Sequence, residues 1–504
     1  MKKIVLLLAL LLLLPCVLCA CGDRPAQLEF AILEDGVCAL TGIKNKERVR
    51  EIVVPATYNG VPVTEICAGA LQGLRELERV TLPEGIVKIG EHAFRDCTAL
   101  MQLNIPSTVT SVGVDAFAYC PGLVDENAPV QYYGGWLFHV SDSVTDLVVA
   151  DGTVGIADLV AFSNTELKTV TFADSVRYIG LQSFDSCENL NQVTFGKELE
   201  RIAWNAFSHC EKVKKVTLSP ELKWYDVDLE NDYATPVLPG TEVYVGNELL
   251  TELVIPEGTR VIRKHTYSCM RSIEKVTIPK SLKTLEASAF YGTDIKSVHI
   301  SDLDAWCELD IEGDAATPVR LNTVLYLNGE PVYQVEIKEG ATRIKPYVFA
   351  NYRVLTNVTI PDSVTEIGAG AFAGCQSLGT VVFGENTQLR YIGVEAFTGC
   401  YSMESILIPK SVEIIDEFAF WYCSGAKYVE IGENVTYIGR FAFAMMEKVE
   451  KVHFVDPNGW FVTPDPSAAS GTPINVTEEG YYLILSEELH HYSNPYRDYY
   501  WKKS

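Results

Sequence analysis

Fourteen cysteines, eight histidines and 66 acidic residues are the side chains of this 504-residue sequence with the most chemical potential. Cysteine can ligate metal, form disulfides or act as a nucleophile, but the spacing here points elsewhere. Cys97 and Cys120, Cys187 and Cys210, and Cys400 and Cys423 are each 23 residues apart, and Cys269 and Cys375 are assigned to the same slot, three residues after an aromatic. A position that recurs with a fixed period is set by packing. Small, apolar cysteine suits the tight turn of a buried coil. Buried free thiols are therefore expected, with disulfides between neighbouring coils or a metal site as the alternatives.

His490 and His491 beside Glu487 and Glu488 have metal-binding side chains. Adjacent residues on a strand point to opposite faces, so a solvated tail is the simpler reading. Gly368, Gly370 and Gly374 look like a phosphate-binding loop, yet no lysine follows, and Gly368 and Gly374 fall where the chain turns. The sequence carries no G-x-S-x-G elbow, H-E-x-x-H, P-loop or dinucleotide fingerprint. No catalytic residue, metal or cofactor is predicted, and the chain is expected not to be an enzyme.

The elements that must position any site come from one unit. Leu355 to Leu378 reads L-x-x-V-x-I-P-x-S-V-x-x-I-G-x-x-A-F-x-x-C-x-x-L, and the next copy starts on its last leucine, giving a period of about 23 residues. Its aromatic slot can be followed through Leu71, Phe94, Phe117, Phe162, Phe184, Phe207, Tyr267, Phe290, Phe349, Phe372, Phe397, Phe420 and Phe443. That predicts an α/β solenoid of about thirteen coils. Each coil has a V-x-I strand ended by proline, a turn, and a compact A-F-x-x-C helical turn. Three interruptions break the rhythm. Two match each other 82 residues apart, for example Ala234-Thr235-Pro236-Val237 with Ala316-Thr317-Pro318-Val319 and Tyr244 with Tyr326. They are expected to be hairpins that leave the stack and return.

Residues 1–20 read as a signal peptide: Lys2 and Lys3 precede an apolar run that ends at Ala20. Leu18-Cys19-Ala20-Cys21 is similar to a lipoprotein processing box, so Cys21 is the expected lipidation site, with ordinary cleavage as the alternative. Membrane attachment is expected only through that lipidated N-terminus. Residues 21–62 are expected to hold the attachment region and an N-terminal hairpin cap around Glu34-Asp35-Gly36. Residues 63–454 form the solenoid, with insertions near 124–155, 222–255 and 300–337. Residues 455–504 form a C-terminal cap and aromatic tail, with Tyr481 to Leu485 as a last strand.

The net charge of -25 excludes nucleic acid as a partner, because phosphate binding needs a basic face. Two candidate faces remain. One is the row of outward strand positions, including Thr169, Thr171, Gln192 and Thr194, whose hydroxyl and amide groups suit a glycan or a broad protein surface. The alternative is that β-branched threonine simply favours a solvated strand. The other face is the inserted aromatics Trp136, Phe138, Trp306 and Tyr326, which would anchor a ligand if exposed and otherwise pack on the stack.

The repeat, the cap sequence TYNGVPVTEI, the insertion SDLDAWCELDI followed by LYLNGE, and the closing DYYWKK resemble the BspA-like leucine-rich repeat surface proteins, from about Phe30 to the C-terminus. The resemblance implies a right-handed leucine-rich repeat superhelix with a parallel sheet on one face. It also implies non-catalytic adhesion to a host matrix protein, a glycan or another cell. A monomer at the cell surface is expected, with a passive envelope spacer or an accessory subunit for polysaccharide degradation as alternatives. Where such repeats usually carry asparagine or cysteine, this chain has Ser175, Ser281, Ser363 and Ser411, which would form a hydroxyl ladder for the turn.

Overall fold

Alternation in a V-x-I strand puts one side chain inward and the next outward, so each coil can offer a hydrogen-bonding edge to its neighbour. The computed structural model describes residues 26–33, 36–123, 127–479 and 499–503. It divides into two units, Met1–Leu249 and Leu250–Ser504. The signal peptide, Cys21, His490, His491 and the strand expected at Tyr481 to Leu485 all lie outside the described residues.

Among the described residues, eight V-x-I strands lie in the first unit and ten in the second, against thirteen coils expected in all. The surplus has a definite origin. Coils opened by Lys215–Leu218 and Ser297–Ile300 carry tryptophan where the aromatic slot was sought, and Glu242–Val245, Val324–Leu327 and Lys451–Phe454 continue the ladders without that slot. The first insertion is the expected hairpin, Val130–Tyr133 antiparallel to Trp136–Val140, whereas the two matching insertions first continue the stack. Glu242–Val245 pairs in parallel register with Lys215–Leu218, and only afterwards does Tyr244 turn back to face Leu249. Val324–Leu327 does the same on Ser297–Ile300, closing on Glu330–Pro331.

The parallel sheet implied by the resemblance is present as the V-x-I ladder. Beside the V-x-I ladder runs a second parallel ladder of two-residue strands, such as Gly155–Ile156, Tyr178–Ile179 and Arg201–Ile202 in the first unit. In the second unit Arg343–Ile344, Glu366–Ile367, Tyr391–Ile392, Ile414–Ile415 and Tyr437–Ile438 form its counterpart.

The third side is the A-F-x-x-C segment, and it is not helical. It holds two positive-φ residues four apart, such as His92 and Asp96 at 55° and 62°, or Gln182 and Ser186 at 49° and 61°. A right-handed helix cannot contain them, so the segment folds as linked turns. Its alternate N–H groups donate to the next coil, as in Phe94 to the Ala116 carbonyl at 2.8 Å and Asp96 to Ala118 at 3.0 Å. These bonds hold the backbone in a region that would otherwise be unfavourable. Described helix is confined to Leu303–Cys307 and Val476–Glu479, with a 3-10 turn at Trp224–Asp226, so the fold is a β-solenoid rather than α/β.

The core follows the period. Phe372, Phe397, Phe420 and Phe443 stack with ring centroids 5.3, 5.1 and 5.1 Å apart. The described cysteines are all free thiols. Those in the slot donate to the carbonyl of the preceding coil's aromatic position, Cys120 to Phe94 at 3.0 Å and Cys423 to Phe397 at 3.2 Å. Burial pushes the thiols of Cys97, Cys187 and Cys423 up to about 12, so each keeps its proton for that bond. Cys269 does not belong to the set. Met270 fills the slot and is fully buried, while Cys269 sits one residue earlier at positive φ. Similarly, Ala161 occupies the aromatic slot and Phe162 lies beside it, 48% exposed.

Two tyrosines close gaps where one V-x-I ladder ends and another begins. Tyr133 Oη donates to the Leu103 carbonyl at 2.7 Å and accepts from the Leu103 N–H at 3.1 Å. Tyr352 Oη accepts from the Leu325 N–H at 3.2 Å and donates to the Val332 carbonyl. One hydroxyl thus serves both a donor and an acceptor that a missing strand would leave unpaired. At the ends, Leu28–Ile32 pairs antiparallel with Cys38–Ile43, and Tyr500–Lys503 lies antiparallel between Tyr437–Ile438 and Trp460–Thr463. The serine ladder forms at Ser175, Ser281 and Ser363, which accept from Gly152, Gly258 and Gly340 at 3.1, 2.8 and 3.0 Å. Ser411 Oγ is buried without a partner.

Candidate functional site

Register brings the predicted strand residues together. Thr169 faces Gln192, and Thr171 faces Thr194, on parallel neighbours. The second row extends from Val148 through Thr171, Thr194 and Thr217 to Tyr244. Thr169 donates to Asp146 at 2.7 Å, and this bond holds the Asp146 carboxyl below its usual range. Thr171, Gln192 and Thr194 make no side-chain hydrogen bond among the described residues, so their donors and acceptors remain available. The row is bounded by Val148, 73% exposed, and by Tyr244, over whose ring the Lys215 ammonium sits at 4.6 Å. In the second unit the corresponding row is Val254, Thr277, His299 and Tyr326, with the last two rings stacked at 4.8 Å.

The aromatic candidates separate by burial. Trp136 and Trp306 are each 2% exposed and cannot meet a ligand. Trp136 stacks on Tyr178 at 6.3 Å, and a Cβ at Gly155 would lie 2.4 Å from its ring, so glycine is required there. Phe138 is half-buried edge-on to Phe117 at 5.8 Å. Tyr326 is also half-buried, and it lies on the strand row itself.

Among the described residues there is no group of three or more His, Cys, Asp or Glu side chains placed to hold a metal ion. Among the described residues, Asp158 carries a strongly raised carboxyl. Burial raises it from 3.8 to about 6, opposed by its hydrogen bond from the Leu181 N–H and by Lys88 and Arg201. A carboxyl with a raised value favours folding when protonated, so its charge opposes folding above pH 6 and the penalty disappears below about 3.8. Asp158→Asn, which keeps the acceptor for Leu181, is expected to stabilise the chain at pH 8 by about 1 kcal/mol and to have no effect at pH 4. Melting curves at the two values check this.

Sequence reasoning missed a groove on the turn side of the second unit. Its floor is Ala373, Gly374 and Gly399, and its rim includes Asp314, Leu321, Tyr347 and Tyr401. The signal was present as a change of residue type in one slot. The positions filled by Gly370, Ala373 and Gly374 in one coil become Phe418, Trp421 and Tyr422 two coils later.

Stacked short coils closed by parallel two- and four-residue strands, with an aliphatic and aromatic core repeated about every 23 residues, define a leucine-rich repeat solenoid. The chain belongs to the BspA type leucine rich repeat family, which matches in six copies over residues 45–159, 156–227, 240–305 and 342–459. Among solved structures, a leucine-rich repeat protein from Bacteroides ovatus is similar, with 22% identity and a TM-score of 0.34 over 84% of this chain and 92% of that one. A leucine rich cell surface protein from Faecalibacterium prausnitzii shows 21% identity and a TM-score of 0.32 over 87% and 97%. The pneumococcal vaccine antigen PcpA shows 15% and 0.24 over 87% and 82%. No curated protein matches the chain. No helix among the described residues is long and apolar enough to cross a membrane.

Proposed function

We propose that this chain is a cell-surface recognition protein that binds an extracellular protein or glycan without catalysis, using the strand face of the first unit. The observation that carries the reading is the registered row Val148, Thr171, Thr194, Thr217 and Tyr244, a flat solvated strip whose threonine hydroxyls have no internal partner, while the Tyr244 hydroxyl donates to Glu242 at 2.9 Å. Such a strip has no enclosed volume in which to exclude water for chemistry, but it can contact an extended partner across several coils. Attachment through a diacylated Cys21 accounts for the apolar leader, and intact-mass measurement of membrane-extracted protein should show a chain beginning at Cys21 with added acyl mass.

Binding is tested by presenting the chain from residue 21 onward to arrays of matrix proteins and glycans. At least one ligand is expected to be retained, and Thr194→Arg is expected to weaken its binding about tenfold while leaving stability within about 0.5 kcal/mol. A flat response over both arrays would reject the reading in favour of a passive spacer. A hydrolase or transferase activity lost on changing one carboxylate would reject the non-catalytic part.

A further inference from the structure

The turn-side groove of the second unit is built differently from the rest of the surface. Successive coils present side-chain-free positions on its floor: Gly374 and Gly399 have φ of 73° and 71°, and Ala373 lies between their coils' rims. The loop that follows Trp306 supplies one wall through Asp314 and Leu321, and Tyr401 supplies the other. Asp314, Asn351 and Glu395 line the space and make no side-chain hydrogen bond or ion pair among the described residues.

Beyond Tyr401 the surface becomes aromatic. Tyr401 meets Tyr422 edge-on at 5.5 Å, Tyr422 lies 5.7 Å from Trp421, and Phe418 joins Trp421 at 6.1 Å and Phe441 at 5.2 Å. Tyr401, Trp421 and Tyr422 are exposed by 38, 37 and 40%. Three members sit where the backbone disfavours them: Phe418, Tyr422 and Phe441 have φ of 58°, 61° and 57°. Bulky side chains are strained in that region, and glycine fills the same slots in earlier coils at Gly370, Gly374 and Gly399. Backbone geometry therefore does not explain the aromatics, and neither does the core, which Phe420 and Phe443 already fill.

We infer that this groove and its aromatic shelf form a binding site for a neutral oligosaccharide. The inference rests on the recognition reading above but assigns a different face and a defined ligand class. Exposed flat rings can stack on the apolar faces of pyranose rings, and unpartnered carboxylate and amide groups can bond the hydroxyls around their edges. The charge balance selects against anionic ligands. Asp314 and Glu395 line the groove with one guanidinium, Arg353, and Asp314 also acts on the guanidinium of Arg320 outside it, in a chain whose net charge is -25. A folded protein partner would be better served by deep apolar pockets for anchor residues than by this open, small-residue floor.

The test uses the chain from residue 21 onward and a panel of cello-, xylo-, manno- and galacto-oligosaccharides, with heparin fragments as the anionic comparison, measured by calorimetry. Binding of at least one neutral member is expected. The double change W421A with Y422G should weaken it at least about tenfold, and Glu395→Gln should weaken it by a smaller factor. Glycine at 422 matches Gly399 in the slot and removes strain, so loss of binding with an unchanged or raised melting temperature reports the lost rings, not unfolding. Thr194→Arg, on the strand face of the other unit, should leave this binding unchanged. No neutral oligosaccharide bound, binding of heparin fragments alone, or equal affinity in the double variant would each overturn the assignment. Loss of oligosaccharide binding in Thr194→Arg with none in the double variant would move the glycan to the strand face, overturning this inference while the recognition reading stands. A protein ligand lost on the double change, with no oligosaccharide bound, would overturn the ligand class.

Discussion

Replacing Phe397 by alanine is expected to destabilise the second unit by about 3–5 kcal/mol. Its ring is 1% exposed and lies between Phe372 at 5.3 Å and Phe420 at 5.1 Å, nearly parallel to both. Removing it opens a cavity that a hydrogen-bonded stack cannot collapse around. The inter-coil bonds Phe372 N to the Ala396 carbonyl at 2.8 Å and Phe397 N to Ala419 at 2.7 Å fix the spacing of the coils on either side. Repeat proteins open locally, so amide hydrogen exchange is the appropriate measurement. Protection should fall most at Glu366–Ile367, Tyr391–Ile392 and Ile414–Ile415. Phe162→Ala is the matched comparison. Phe162 is 48% exposed and outside the aromatic slot, so its loss should change stability by less than about 0.5 kcal/mol. Equal effects at the two sites would contradict the slot assignment.

Trp306→Ala is expected to cost about 3–5 kcal/mol by a different route. The indole is buried, and its Nε1–H donates to the Val348 carbonyl at 3.1 Å, 42 residues along the chain. It belongs to the short helix Leu303–Cys307, whose first turn is capped by Asp302 accepting from the Ala305 N–H at 3.0 Å. Alanine removes the buried area and leaves a carbonyl with no partner in a dry site. Trp306→Phe separates the two contributions, since most of the ring remains and only the donor is lost. It should cost about 1–3 kcal/mol. The loss should appear as faster exchange in Val324–Leu327 and Gln334–Glu336, on either side of the gap that Tyr352 spans.

These two residues also show where sequence reasoning was strong and where it was not. Phe397 was assigned to the core from its period alone, because a side chain repeated every 23 residues must meet its own copy when coils stack. Trp306 falls outside that rhythm, so its sequence context left both surface anchor and packed core open. Burial decided it. Phe162 differs from the slot by one position, because the pairing of Ile156 with Ile179 sets a register that puts Ala161 there. The same single-residue ambiguity placed Cys269 in the slot that Met270 fills.

The helical turn expected of A-F-x-x-C fails for a reason no local propensity reveals. Positions one before the alanine and two after the phenylalanine adopt positive φ whether they hold Gln182 and Ser186 or Phe418 and Tyr422. Inter-coil hydrogen bonds impose that geometry, and the bonds exist only once coils have stacked.

By itself, the sequence determined the period, the V-x-I strands, the buried cysteines and the absence of any recognised catalytic motif, because each of these is fixed by residues within one coil or by a copy one coil away. The tertiary structure decided what depends on distant segments. It turned two insertions into longer coils, buried Trp136 and Trp306, brought Tyr326 to the strand face, and set the loop after Trp306 against a glycine floor some 60 residues further along. A groove is defined partly by side chains that are missing. Only the spatial arrangement of Ala373, Gly374 and Gly399 against Asp314, Leu321 and Tyr401 could show that the missing side chains leave one continuous space.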